Sequence, residues 1–217
     1  MTGDNKMIDS GYYGNDRPEI FHLVEPDMLT ILDVGCGNGV LGKHLKQSNT
    51  SRKVFGIEYN EDAAKVAKSN IDQVRVGDIQ TISLPYDKES FDCIILADIL
   101  EHLIDPGAVL QKLSVFLKKN GVFICSIPNI RHYGALLKLI RHGWIYEDYG
   151  LFDRTHLRFF SLRSMKDLIL NSGLKIQSIE PRIACSTKMK ILNSLMFGKL
   201  EEFIAFQYII KAEKLSS

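Results

Sequence analysis

From Thr30 onward, short apolar runs alternate with longer amphipathic ones. "TILDV", "KVFGIE", "QVRVGD" and "FDCIILA" have the length and the β-branched or aromatic content of strands, and "GVFICSIP" is a fifth. Between them the apolar positions recur at helical spacing. A helix follows the first run through Lys46, and "EDAAKVAKSN" is a second helix that Asn60 can cap. "PGAVLQKLSVFLKKNG" is a third, with proline at its start and glycine just past its end. Strands that alternate with helices of about 10 to 15 residues predict a parallel sheet covered on both faces, joined by right-handed crossovers.

After Pro128 the rhythm changes. "NIRHYGALLKLIRHGW" reads as helix, whereas "IYEDYGLFDRTHLRFF" carries aromatics and charges without a period, and a long irregular segment in a compact domain is usually functional. "SLRSMKDLILNSG" is a helix capped by Ser161 and closed by Gly173. "LKIQSIEPRI" and "EEFIAFQYIIKAE" read as strands of an antiparallel hairpin that finishes the sheet, with "KMKILNSLMFGKL" a helix between them. No repeat, linker or low-complexity tract interrupts the chain. A single domain over residues 1–217 is expected, with an N-terminal lid or docking segment over 1–28 and a functional insertion over 129–160.

Composition narrows the partner. A chain of 217 residues can bury roughly 70% of the surface its unfolded form exposes. Its 27 Lys and Arg balance 26 Asp and Glu, so no basic excess calls for nucleic acid, and a small-molecule partner is expected. "MTGDNKMIDS" lacks the apolar core of a secretion signal and no run approaches the roughly 20 apolar residues of a membrane span. A soluble, cytoplasmic protein, monomeric or homodimeric, is the expectation. Cys36, Cys93, Cys125 and Cys185 lie far apart and read as buried hydrophobes in a reducing compartment. Cys36 lies in a glycine loop, and even there space filling is favoured over reactivity. The histidines are scattered, so no metal site is expected.

The stretch "ILDVGCGNGVLGKHL" holds two overlapping glycine patterns. Gly35, Gly37 and Gly39 form G-x-G-x-G, while Gly37, Gly39 and Gly42 form the G-x-G-x-x-G of dinucleotide sites. Both let the backbone approach a ligand. A pyrophosphate, however, wants helix N–H groups and no carboxylate nearby, yet Asp33 stands two residues before Gly35. At about 4 Å such a like-charge contact costs on the order of 4 kcal/mol in protein-like surroundings. A cationic ligand explains the acid better, and S-adenosylmethionine, with an amino group, a sulfonium and no phosphate, is such a ligand. Glu58, ending the second strand, can take both ribose hydroxyls, a feature that would serve NAD as well. Asp78, after the third strand, can accept from the adenine amino group with Ile79 against the ring. Acids at the ends of three successive strands read as one cofactor crevice.

The chain resembles class I S-adenosylmethionine-dependent methyltransferases, in particular the small-molecule group with ubiquinone-biosynthesis-like and type 11/12 domains. "ILDVGCGNG" is similar to the first motif of that family, "VFGIEYNEDAAKVAK" to the second, "VRVGDI" to the adenine loop, "FDCIILADILEHLIDP" to the fourth-strand motif and "LKKNGVFICSIPN" to the fifth. The resemblance implies an α/β, Rossmann-like, doubly wound seven-stranded sheet, mostly parallel with an antiparallel C-terminal strand. It makes the longer glycine pattern incidental, because Gly42 then falls on the first helix. It also implies cofactor contacts from Asp33, Gly35, Cys36, Gly37, Gly39, Glu58, Tyr59, Asp78, Ile79, Ala97 and Asp98. Upstream, "GYYGNDRPEIFHLV" resembles the cofactor-covering segment, where Tyr12 and Tyr13 can close over the methionine portion. Arg17 either pairs with the ligand's carboxylate or simply begins a docking helix at Pro18.

Methyl transfer is an in-line displacement, so the protein mainly supplies alignment and, for a hydroxyl or amine acceptor, proton removal. A dinucleotide-dependent oxidoreductase or epimerase and a non-catalytic adenosine-binding regulator are the alternatives. "DILEHL" brings Asp98, Glu101 and His102 to the carboxyl end of the fourth strand, where His102 is either a general base or a packing residue. "LFDRTHLRFF" combines Asp153, Arg154, His156 and Arg158 with Phe159 and Phe160 and resembles an element of glycan and cell-envelope methyltransferases, which suggests a small-molecule or sugar acceptor. His156 and Asp153 are the favoured acceptor-side catalytic pair. Asp153 either orients the His156 ring or anchors the loop through Arg154 and Arg158.

Overall fold

Strand β1, Thr30–Val34, is buried from Ile31 onward, and β2, Lys53–Glu58, runs parallel to it with Ile31 opposite Val54 and Val34 opposite Ile57. β3, Gln73–Val76, continues the parallel pairing. Helix α1 spans Pro18–Phe21, α2 Val40–Ser48 and α3 Glu61–Ala67. Asn60 caps α3 as its position predicts, accepting from the backbone N–H groups of Asp62 and Ala63. The buried Arg52 fastens the segment ahead of β1, donating to the carbonyls of Met28, Val24, Glu25 and Leu45. These elements make the first of two compact units, ending at Ser83. The computed structural model describes residues 16–183, 185 and 187–214.

The second unit begins at Leu84. β4, Phe91–Ala97, leads into a single 3-10 turn, Leu100–His102, and then α4, Pro106–Ser114. β5, Leu117–Pro128, pairs with β4 in parallel. α5, Tyr133–His142, and α6, Leu162–Asn171, precede β6, Leu174–Ile183. α7, Thr187–Leu195, and α8, Glu201–Ile204, precede β7, Ala205–Lys214. β7 is antiparallel to both β5 and β6. The strands form one seven-stranded sheet in the order β3-β2-β1-β4-β5-β7-β6, the mostly parallel α/β arrangement expected. Among the described residues no helix is long and apolar enough to cross a membrane.

Three expectations need correction. The helix after Pro106 stops at Ser114 instead of running through "FLKK", because Leu117 already pairs with Phe91 in β5. The chain then turns out and back before Val122 rejoins Cys93, with Asn120 at φ 64° and Gly121 so tight that a Cβ would lie 3.0 Å from the carbonyl oxygens of Lys118 and Phe91. Second, "EEFI" is helical and the last strand starts only at Ala205, the residue opposite Ile183 where β6 ends. Third, Gly42 is not incidental. It is buried on α2, and a Cβ there would stand 2.4 Å from Ile71 Cγ2 and 2.9 Å from Val54 Cγ1, so glycine sets how closely α2 approaches β2.

Gly42→Ala should therefore destabilise the protein by about 1–3 kcal/mol through overpacking, outweighing the roughly 0.5–1 kcal/mol that alanine contributes in a helix. Equilibrium urea unfolding measures it, and unchanged or increased stability would mean that Ile71 yields freely.

Candidate active site

In the first unit, the turn after β1 is built on glycine. Gly35, Gly37 and Gly39 have φ of 73°, 53° and 73°, a left-handed region that a Cβ disfavours. Gly35 and Cys36 both donate to the Ile57 carbonyl at 2.7 and 3.2 Å, which lays the loop against the end of β2. Glu58, ending β2, is 6% exposed and holds the loop: its Oε2 accepts from the Gly37 N–H and its Oε1 from the Asn60 N–H, each at 2.8 Å. Each oxygen retains a second lone pair for a ligand hydroxyl. Asp78 terminates the turn after β3, accepting from the Gln80 N–H at 2.9 Å, and Ile79 beside it is buried. Tyr59 is 78% exposed. The Cys36 sulfur covers Gly56, whose Cβ would lie 2.5 Å from it, so the side chain is committed to packing.

Asp33 is the anomaly of this unit. It is 3% exposed, and burial pushes its carboxyl up to about 7, an effect the Arg17 guanidinium opposes and the Glu58 carboxylate reinforces. Arg17 stands at φ 47° directly before α1, so the guanidinium expected to meet a ligand carboxylate acts in this structure on Asp33. Burial together with Asp33 and Glu58 also drives the Cys36 thiol far up, which removes it as a nucleophile. A buried carboxylate that its surroundings resist ionising suits a cationic group and repels a phosphate, so these residues fit the amino acid end of S-adenosylmethionine and not a pyrophosphate. Tyr12 and Tyr13, expected to cover the ligand, lie outside the described residues.

The second unit carries a separate constellation. Asp98 follows β4 at φ 55°, and its carboxylate accepts from the Ser126 hydroxyl at 2.8 Å and from the Gln207 amide. Ala97, before it, is buried. The 3-10 turn then presents Glu101, 1% exposed, and the half-buried His102. The Glu101 carbonyl accepts from the N–H groups of Leu157 and Arg158 at 2.8 and 2.9 Å, and the Arg158 guanidinium grips the Ile104 carbonyl. This clasp brings the irregular segment onto the turn.

Asp153 does not orient the ring of His156. Its Oδ1 accepts from the Thr155 N–H at 2.8 Å and from the Thr155 hydroxyl at 2.7 Å. The hydroxyl oxygen lies 3.1 Å from His102 Nδ1 and, having given its proton to Asp153, it accepts from Nδ1–H. The relay Asp153, Thr155, His102 thus leaves Nε2 of His102 with the lone pair. His156 is held by its own partner, Nδ1 standing 3.4 Å from the Leu151 carbonyl. Burial, then the nearby His102, lowers its pKa, which favours the neutral ring near pH 7. The two rings are 4.7 Å apart, and His156 Nε2 is 4.0 Å from Glu101 Oε1. Leu151, Phe159 and Pro128 join Glu101 and His156 around a small crevice with room for about one water molecule. Arg154 faces away from this group, paired with Asp148. Sequence reasoning missed Thr155 and gave Glu101 no role. The signal for Thr155 was its spacing of two after Asp153, that of a side chain folding back onto its own turn.

Residues 13–179 match the family described as a methyltransferase domain. The chain is 31% identical over 108 residues to the ubiquinone biosynthesis O-methyltransferase of Haemophilus ducreyi, covering 46% of this chain and 45% of that protein. With the protein of the same name from Acinetobacter baylyi it shares 23% identity over 155 residues, 69% of this chain and 64% of the relative. The alignments therefore span about half to two thirds of those relatives' length. A solved S-adenosylmethionine-dependent methyltransferase from Archaeoglobus fulgidus superimposes with a TM-score of 0.66 at 17% identity, covering 94% of this chain and 97% of that one. At that identity the likeness concerns the fold.

The raised Asp33 carboxyl has a consequence in the free protein. Between the unfolded value of 3.8 and the folded value of about 7 the folded state binds the extra proton, so stability falls as pH rises through that window. Asp33→Asn should abolish this contribution, on the order of 4 kcal/mol at most above pH 7 for a shift of about three units. Urea unfolding of both proteins at pH 5 and pH 8 measures it, the variant gaining on the parent at both and by about 2–3 kcal/mol more at the higher pH. Equal gains at both would show that Asp33 is already ionised when folded.

Proposed function

The chain belongs to the family of methyltransferase domains, and on that premise we propose that it transfers a methyl group to a hydroxyl of a small acceptor. Its cofactor is S-adenosyl-L-methionine, which when bound supplies an electrophilic methyl on a sulfonium. The Gly35–Gly39 backbone and Glu58 hold the ribose, Asp33 faces the ammonium, Asp78 and Ile79 take the adenine, and Arg17 reaches the carboxylate once the ligand's ammonium meets Asp33. The main work of these residues is to bind and align, because an in-line displacement needs little else from the protein.

The Asp153, Thr155 and His102 relay is the observation that carries the acceptor side. An imidazole whose Nδ1–H is pinned this way presents Nε2 as a proton acceptor, and the neutral His156 beside it is a second one. Asp153 is thus a positioning residue for His102. The names of the relatives, O-methyltransferases of ubiquinone biosynthesis, support a hydroxyl on a small ring over a sugar.

Calorimetric titration should find S-adenosylmethionine binding and no NAD binding, and Glu58→Ala should weaken the former by about 1.5–3 kcal/mol, the range for hydrogen bonds to a charged group. NAD affinity with silence toward S-adenosylmethionine would overturn the reading. With labelled cofactor and a panel of phenolic acceptors, His102→Ala should lower turnover by about 10²- to 10⁴-fold at nearly unchanged cofactor affinity. His156→Ala should do the same, and Asp153→Asn should fall between it and the parent. Full activity in all three would mean catalysis by alignment alone.

A further inference from the structure

The crevice beside His156 is too small for a ring. It has room for about one water molecule, whereas a cavity that takes benzene measures about 150 Å³. One wall must therefore give way, and the walls differ in how firmly they are held. Pro128 is the last residue of β5, opposite Gln207 of β7. Phe160 is buried, and its carbonyl accepts from the Ile130 N–H at 2.8 Å. Arg158 is tied to the Glu101 and Ile104 carbonyls. Phe159 differs, being only half-buried and backed by Trp144, whose ring stands edge-on to it with centroids 4.6 Å apart.

Trp144 stands on a short, exposed stretch. Gly143 at φ 73° precedes it, and a Cβ there would meet no described atom within 4 Å, so this end has room to turn. Trp144 is 42% exposed, and Ile145 and Tyr146 after it are exposed as well. The chain is fastened again at Glu147, whose N–H donates to the Phe152 carbonyl at 2.8 Å and whose carboxylate pairs with Lys138. The indole also packs edge-on against Phe152 at 5.0 Å, and Phe159 in turn lies 6.2 Å from the His156 ring. A row of aromatic rings thus runs from the imidazole out to solvent.

We propose that Trp144 is the acceptor-recognition residue: its stack on Phe159 opens for a planar aromatic acceptor, whose ring then packs against both. This rests on the reading of the acceptor as a hydroxyl on a small ring. Aromatic pairs favour edge-to-face and offset stacks alike, so the indole exchanges one ring contact for another and gains burial. An aliphatic alcohol of the same size restores the buried area but not the ring geometry, which makes the residue selective for planarity. A ring seated against Phe159 brings its hydroxyl toward His156 and His102, whose own rings are 4.7 Å apart.

Trp144 is the only tryptophan in the chain, so its fluorescence reports this position directly. The test titrates the full chain with catechol, with cyclohexanol as the non-planar control, in the absence and presence of S-adenosylhomocysteine. The expected result is a saturable change with catechol and none with cyclohexanol, reduced in Phe159→Leu to linear collisional quenching. In methyl-transfer assays Trp144→Leu should raise the KM for catechol about 2- to 12-fold, the range for an aromatic pair, at nearly unchanged kcat and S-adenosylmethionine affinity. Trp144→Phe should restore most of the loss. Melting temperatures establish that each variant is folded, and Trp144→Leu, at an exposed position, keeps the test open should Phe159→Leu fail to fold. Linear quenching in the parent, an equal response to cyclohexanol, or a lower kcat at unchanged KM in Trp144→Leu would each overturn the proposal. If catechol is methylated all the same, the proposed function stands and the ring binds elsewhere; if catechol and the other phenols are neither bound nor methylated, both readings fall.

Discussion

One carboxylate organises the first unit. Glu58 accepts the Gly37 N–H on one oxygen and the Asn60 N–H on the other, and Asn60 in turn caps α3. A loop of three left-handed glycines is costly to order, because glycine loses more backbone freedom on folding than any other residue. Charge-assisted hydrogen bonds inside the protein offset that cost better than neutral ones would. The same side chain therefore shapes the turn after β1, ends β2 and sets the start of α3, before any ligand arrives.

Asp33 is the counterweight. It sits on a strand buried on both faces, and its ionised form is opposed by burial and by Glu58, relieved in part by Arg17. A site selected for stability alone would carry an apolar residue there. The carboxylate makes sense as stored electrostatic demand that a cationic ligand satisfies, an instance of stability given up where binding takes place.

In the second unit the corresponding constraint is a backbone one. The Glu101 carbonyl accepts from two successive N–H groups, Leu157 and Arg158, so a segment with no regular structure is fixed onto the 3-10 turn after β4. Once the two stretches of chain are clasped, Thr155 reaches His102. Thr155 and His102, 53 positions apart in sequence, thereby share their proton placement.

What the sequence by itself determined was the part of the protein governed by local rules. Alternating apolar runs, the Asn60 and Ser161 caps and the glycine turn after β1 follow from periodicity and backbone sterics, which act within a few residues. The order of acids at strand ends and the charge objection to a phosphate were legible for the same reason. What only the tertiary structure decided was every feature set by a partner distant in the chain. α4 ended early because Leu117 found Phe91. Gly42 proved to be a packing position because Ile71 and Val54 lie across from it. Asp153 served His102 instead of its neighbour His156, because the clasp at Glu101 put Thr155 within 3.1 Å of a ring that no local spacing connects to it.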